Sequence, residues 1–179
     1  EMCIRDSQQI SSMVESLGTL LRATLSSKKP LVTLDYEIGL AGSYMTIQKI
    51  RFEDRLLFHV ECPEELGKAL ILPLTIQPLL ENAIRYGMEE MMDTCEISIR
   101  TMKEGGLLIV EVSNEGSVFE DGLLEKLQDG TKNAHGFGIG LVNIHQRIQM
   151  LFGEAYGLSF KNENEKAIAI ITIPYKTCL

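Results

Sequence analysis

Glu81, Asn82 and Arg85 are side chains of the types that phosphate and metal chemistry uses, and they fall close together on a segment that reads as a helix over Thr75–Gly87. At about 100° per residue they share one side of that helix, opposite Ile76, Leu79, Leu80 and Ala83, so the trio is expected to face away from the core. An amide oxygen is a hard ligand suited to Mg2+, a guanidinium meets phosphate charge, and a carboxylate can orient or deprotonate a nucleophile. The competing reading is an ordinary solvated face, because charged residues are mostly exposed. A second segment, Gly136-Phe137-Gly138-Ile139-Gly140-Leu141, is a glycine-rich loop opening a helix. Its alternate glycines let backbone N–H groups approach an anion, and the helix N-terminus adds the positive end of its dipole. A dinucleotide-binding GxGxxG is excluded, because Leu141 stands where glycine is required, and a P-loop is excluded because no Gly-Lys-Ser/Thr exists. A glycine-rich connection without a ligand stays open. The third segment, Val110 to Gly116, reads as a buried strand ending in the acceptor Asn114 before a glycine. It suits the reading of a base edge, or equally a turn.

The elements that must position these groups follow from periodicity. Ile10, Met13, Val14, Leu17, Leu20, Leu21 and Leu25 form one helical stripe over Gln8–Ser26. Glu1 to Ser7 fit no such pattern and are set aside as a remnant. Thr33 offers an N-cap to a second helix running toward Phe52, with Asp35 and Glu37 placed to complement its N-terminal dipole. A strand is expected at Leu56–Val60, a hairpin over Cys95–Ile99 and Leu108–Val112 turning at Gly105-Gly106, and a short helix near Glu120–Gln128. A helix over Ile139–Phe152 and strands at Leu158–Phe160 and Ile168–Ile173 close the chain. Hairpins mixed with single helices predict an α+β layer, with helices on one face of a mostly antiparallel sheet. The stripe of the first helix needs cover, either from its own domain or from a second copy.

Composition narrows the functions. The 179 residues are 45% hydrophobic and carry a net charge of -8, which argues against a nucleic-acid surface or a polybasic membrane contact. An anionic small ligand would need a local positive site. Cys3, Cys62, Cys95 and Cys178 make no CxxC pair and indicate neither a zinc site nor a disulfide framework. No run of about 18 apolar residues suggests a membrane span, so any membrane attachment is expected through segments outside this chain.

Taken in order, these segments resemble the GHKL ATPase superfamily, most closely the catalytic part of LytS/YesM-type sensor histidine kinases. Ser16–Arg22 and Tyr44–Leu56 look like the helices joining dimerisation and catalytic regions. Leu72–Gly87 looks like the N box, Ser113–Gly116 sits at the first glycine box, and Gly136–Leu141 with Asn143 and Arg147 looks like the second. The resemblance covers about Gln8 to Pro174 and implies a Bergerat-type α/β sandwich preceded by two helices. It divides the chain into 1–7, a helical arm over 8–52, and an ATP-binding catalytic domain over 53–179. By it, ATP and Mg2+ are the cofactors: Asn82 holds the metal, Glu81 acts catalytically with Asn82 near the phosphates, and Arg85 assists. Gly136, Gly138 and Gly140, with Ile139 and Leu141, form the triphosphate loop, Asn114 and Gly116 meet the base, and Glu120–His135 is a lid. Three departures stand out: Asn114 replaces the usual Asp, Glu115 and Val118 replace frequent Asn and Gly, and Tyr86 stands where His is common. A Pro-His-Phe acceptor segment is absent, and none of His59, His135 or His145 matches it, so the chain alone is not expected to autophosphorylate. The implied partners are an upstream phospho-acceptor and dimerisation segment, a response regulator and a second copy of the chain, at the cytoplasmic side of a bacterial membrane protein. A degenerate module acting as a dimerising scaffold is the alternative, and a repair or chaperone GHKL ATPase the more distant one.

Overall fold

The computed structural model describes residues 2–26, 29–89, 94–128 and 137–177. Helix α1 spans Met2–Ser26 and packs along α2, Leu34–Phe52. Helix runs from Met2, ahead of the apolar stripe, because the intervening residues carry no breaker that would stop it. Thr33 caps α2 as expected, its hydroxyl accepting from the Tyr36 N–H at 3.3 Å. Two short strands missed in the sequence, β1 (Val32–Thr33) and β3 (Leu70–Ile71), pair antiparallel and tie the start of α2 to a segment far along the chain.

The main sheet contains β2 (Leu56–Glu61), β4 (Cys95–Glu104), β5 (Leu107–Glu115), β6 (Gly157–Glu163) and β7 (Lys166–Pro174), in the order β2-β4-β5-β7-β6. Only β2 and β4 run parallel, since the connection between them passes through helix α3, Ile76–Ile84, while the other pairs are antiparallel. Both expected hairpins form. The first turns at Gly105 and Gly106 (φ 52° and 84°), and the second at Asn164 and Glu165 (φ 51° and 63°). Along β4 and β5, Ile97, Ile99, Leu108, Val110 and Val112 alternate into the core beside Ile171 and Ile173 of β7. Against that face lie α3, with Ile76, Leu79, Leu80 and Ala83 buried, and α5, Phe137–Phe152, with Leu141, Ile144 and Ile148 buried. The short α4, Leu123–Gln128, packs on α5 and β6.

His145 fastens α5 to the sheet. It is buried, and its Nδ1 accepts the Leu158 N–H at 3.0 Å. Burial holds its imidazole below the ordinary value of 6.5, and protonation at Nδ1 would set one N–H against another. The unfolded chain therefore takes up this proton at higher pH than the folded one, so the contribution is fully present above about 6.5 and is lost as pH falls through the folded value. Thermal melts should show Tm dropping on acidification below pH 6.5, and His145→Gln should flatten that slope. An unchanged slope in the variant would refute the assignment.

Candidate functional site

The face of α3 that carries the trio is not a solvated one. Asn82 is only 5% exposed, and among the described residues its carboxamide makes no hydrogen bond. The expectation that all three residues turn away from the core is corrected here: periodicity separates the two sides of the helix, but α5 covers the second. Glu81 is half-buried and its Oε1 accepts from Gln77 Nε2 at 2.9 Å. Arg85, also half-buried, holds its guanidinium 5.7 Å from the centre of the Tyr86 ring. From Arg85 to Glu89 the helix widens into a π turn, a distortion that frequently accompanies functional sites.

The glycine segment meets this face. A Cβ built on Gly140 would lie 3.9 Å from Pro78 Cβ, and Pro78 is one turn before Glu81 and Asn82. Gly138, Ile139 and Gly140 lie in the first turn of α5, where backbone N–H groups lack helical acceptors. Leu141 is buried and anchors α5 in the core. Gly136 lies outside the described residues, as does the 129–135 part of the expected lid; its earlier part contains α4.

At the far end of α3, Gly87 approaches the sheet. A Cβ there would stand 2.7 Å from Cys95 Sγ and 3.2 Å from Asn114 Nδ2, so the turn that follows α3 lies against the strand end that carries Asn114. Asn114 is 3% exposed. Its Nδ2 donates to the Glu115 carbonyl at 3.1 Å and to Ser117 Oγ at 2.7 Å. A carbonyl only accepts, which fixes the amide nitrogen on that side and leaves Oδ1 as the acceptor without an internal partner among the described residues. Gly116 follows at φ 79°, a conformation that needs glycine. The Cys95 thiol beside it is pushed up by burial and so stays protonated.

Sequence reading missed three contributors. Gly87 and Ser117 gave no signal beyond their positions in a motif. Glu37 was assigned to its own helix, yet its carboxylate is 1% exposed and accepts the N–H groups of Leu74, Thr75 and Ile76 at 2.7, 2.9 and 3.2 Å, at the start of α3. Burial pushes this carboxyl up, opposed by those three N–H groups and by the Arg147 charge.

Residues 67–177 match the family of histidine kinase-, DNA gyrase B- and HSP90-like ATPases, and residues 1–56 match the histidine kinase family. The chain belongs to that ATPase family. Within it, the chain is homologous to sensor histidine kinases: it is 44% identical over 93% of its length to YesM of Bacillus subtilis (strain 168), and 32% identical over 96% to BtsS of Escherichia coli (strain K12). It spans 28% and 29% of those two proteins. The nucleotide-free catalytic domain of histidine kinase ThkA shares the fold, with TM-score 0.61 at 17% identity over 80% of this chain and 93% of that one. ThkA in complex with the response regulator protein TrrA gives 0.59 at 19% identity, over 93% and 49%.

Proposed function

We propose that this chain is the ATP-binding catalytic region of a two-component sensor histidine kinase, presenting the γ-phosphoryl group of Mg-ATP to a histidine upstream of the chain. The observation that carries the reading is the Asn82 carboxamide, which makes no hydrogen bond among the described residues and keeps its polar atoms accessible although the residue is nearly buried, on the helix face against which Gly140 packs. An accessible amide oxygen with no internal partner is available to a ligand without breaking a hydrogen bond.

In this reading Asn82 supplies one oxygen to Mg2+, and the ion when bound neutralises charge on the phosphates. Glu81 stands one position earlier to orient the attacking imidazole or a phosphate-bound water, and Arg85 offsets phosphate charge from the next turn. The free N–H groups at the start of α5, with Gly136, Gly138 and Gly140, receive the triphosphate. Attack of the imidazole nitrogen on the γ-phosphorus forms the P–N bond as the bond to the β-phosphate oxygen breaks, and ADP leaves. Positioning and charge neutralisation do most of this work, since the phosphoryl transition state asks for little covalent help. Asn114 reads the base: Oδ1 accepts from an exocyclic amino group, in place of the usual carboxylate.

The test is calorimetric titration of the chain with Mg-ADP and Mg-IDP. Hypoxanthine puts a carbonyl where adenine has its amino group, so Mg-ADP should bind about tenfold tighter, the worth of one hydrogen bond to a buried acceptor. Equal affinities would refute the role of Asn114. No binding at millimolar nucleotide would favour the scaffold reading that Asn114, Glu115 and Val118 motivate. Two partners are proposed with the function. A second copy is supported by the exposed stripe Ile10, Val14, Leu17 and Leu21 on α1, and a response regulator by the partner named for ThkA. Among the described residues no helix is long and apolar enough to cross a membrane. The proposed setting is the cytoplasmic face of a membrane-bound kinase.

A further inference from the structure

The segment from Leu72 to Thr75, which leads into the helix carrying Glu81 and Asn82, is held almost wholly from outside. Thr75 occupies the N-cap position of α3, where a hydroxyl would ordinarily accept from the first turn. Its Oγ1 instead donates to the Leu72 carbonyl at 2.6 Å and leaves the helix end uncapped. Leu74 adopts φ 57°, a conformation that costs a non-glycine residue roughly 1–3 kcal/mol and persists only where the surroundings impose it. Two elements impose it. The Glu37 carboxylate comes from α2 and receives three consecutive N–H groups, and Arg147 from α5 donates to the Pro73 carbonyl at 2.8 Å.

A local cap would have served helix stability at lower cost than a carboxylate 1% exposed. The arrangement makes the start of α3 depend on where α2 stands, and α2 packs along α1. We infer that Glu37 is a positioning residue through which the helical arm sets the placement of α3, and with it the affinity of the nucleotide site. This rests on the nucleotide reading proposed above. Glu37 touches no phosphate; it acts through the backbone of Leu74–Ile76. By linkage, a ligand that favours one placement of α3 must also tighten α2.

The mild variant is Glu37→Gln, which keeps one acceptor oxygen and turns an NH2 group toward a backbone N–H. The comparator is Met45→Ala, a buried residue two turns further along α2 whose side chain takes no part in this hydrogen-bond network. Expected are Mg-ADP affinity about tenfold weaker in Glu37→Gln and within about twofold of wild type in Met45→Ala, despite a comparable loss of Tm, a coupling of the size allosteric links show. In the wild-type chain, Mg-ADP should slow amide exchange over 34–41 as well as over 72–84, a readout that holds even if the variant fails to fold. Unchanged affinity in Glu37→Gln, equal losses in both variants, or exchange slowed in α3 but not over 34–41 would each overturn the inference. Failure of the wild-type chain to bind Mg-ADP would overturn the nucleotide reading and this one with it.

Discussion

Asn82→Ala is expected to weaken Mg-ADP binding by about a hundredfold, roughly 2.7 kcal/mol, while leaving Tm within a degree or two or raising it. The two halves of that outcome come from one fact. The residue is 5% exposed, and among the described residues its carboxamide makes no hydrogen bond while its polar atoms stay accessible, so folding gains little from its polarity. Removing a polar group with no internal partner forfeits no hydrogen bond and leaves no orphan behind, unlike breaking an established pair. Binding behaves in the opposite way, because an inner-sphere oxygen of a hard cation cannot be replaced by a methyl group. The metal dependence separates this role from simple packing. With EDTA present, wild type and Asn82→Ala should bind ADP about equally, because the difference between them is carried by the ion. Isothermal titration with and without Mg2+, alongside thermal melts, reads all of this. A variant that binds Mg-ADP as wild type does would remove Asn82 from the site, and a Tm loss on the scale of a core truncation would make it a structural residue.

The parts of this architecture that were legible in the sequence are those governed by local periodicity. Alternation marked β4 and β5, whose buried Ile97, Ile99, Val110 and Val112 share one face, and the three-and-four spacing marked α3 and α5. Pairings made across long stretches of chain were not legible. The parallel match of Leu56 with Cys95 and the two-residue ladder of Val32 with Ile71 carry no local signature, the latter being too short for any alternation. Glu37 shows why the site was only half visible. A carboxylate near a helix N-terminus was the right physics applied to the wrong helix: it sits in the first turn of α2, but its oxygens are taken by the N-terminus of α3, some 37 to 39 residues further on. Asn82 shows the converse. Helical spacing put it opposite Leu79 and Leu80, and the packing of α5 turned that side into a covered face rather than a surface. The orientation of Asn114 depended on a backbone carbonyl and on Ser117, neither of which a motif prescribes.

Gly87→Ala tests whether the two ends of the site are built as one unit. Gly87 has no positive φ, so it is glycine for space and not for conformation: an added methyl would stand 2.7 Å from Cys95 Sγ and 3.2 Å from Asn114 Nδ2. Neither neighbour can swing clear, since Cys95 is 2% exposed and the Asn114 nitrogen is held by Glu115 and Ser117. Overpacking of this kind costs about 1–3 kcal/mol, and the strain must be relieved by parting the end of α3 from β4 and β5. The expected result is a Tm several degrees lower together with Mg-ADP binding about thirtyfold weaker, because the displacement moves the oxygen proposed to read the base relative to Asn82. Cys95→Ala supplies the control. Added to Gly87→Ala, it removes the closer of the two clashing atoms and should recover most of the lost stability, a coupling of about 1–2 kcal/mol in a double-mutant cycle. Affinity should recover less, since the contact with Asn114 Nδ2 persists. If the double variant regained affinity and stability in equal measure, the sulfur alone would account for the effect, and Gly87 would have no bearing on how Asn114 is set.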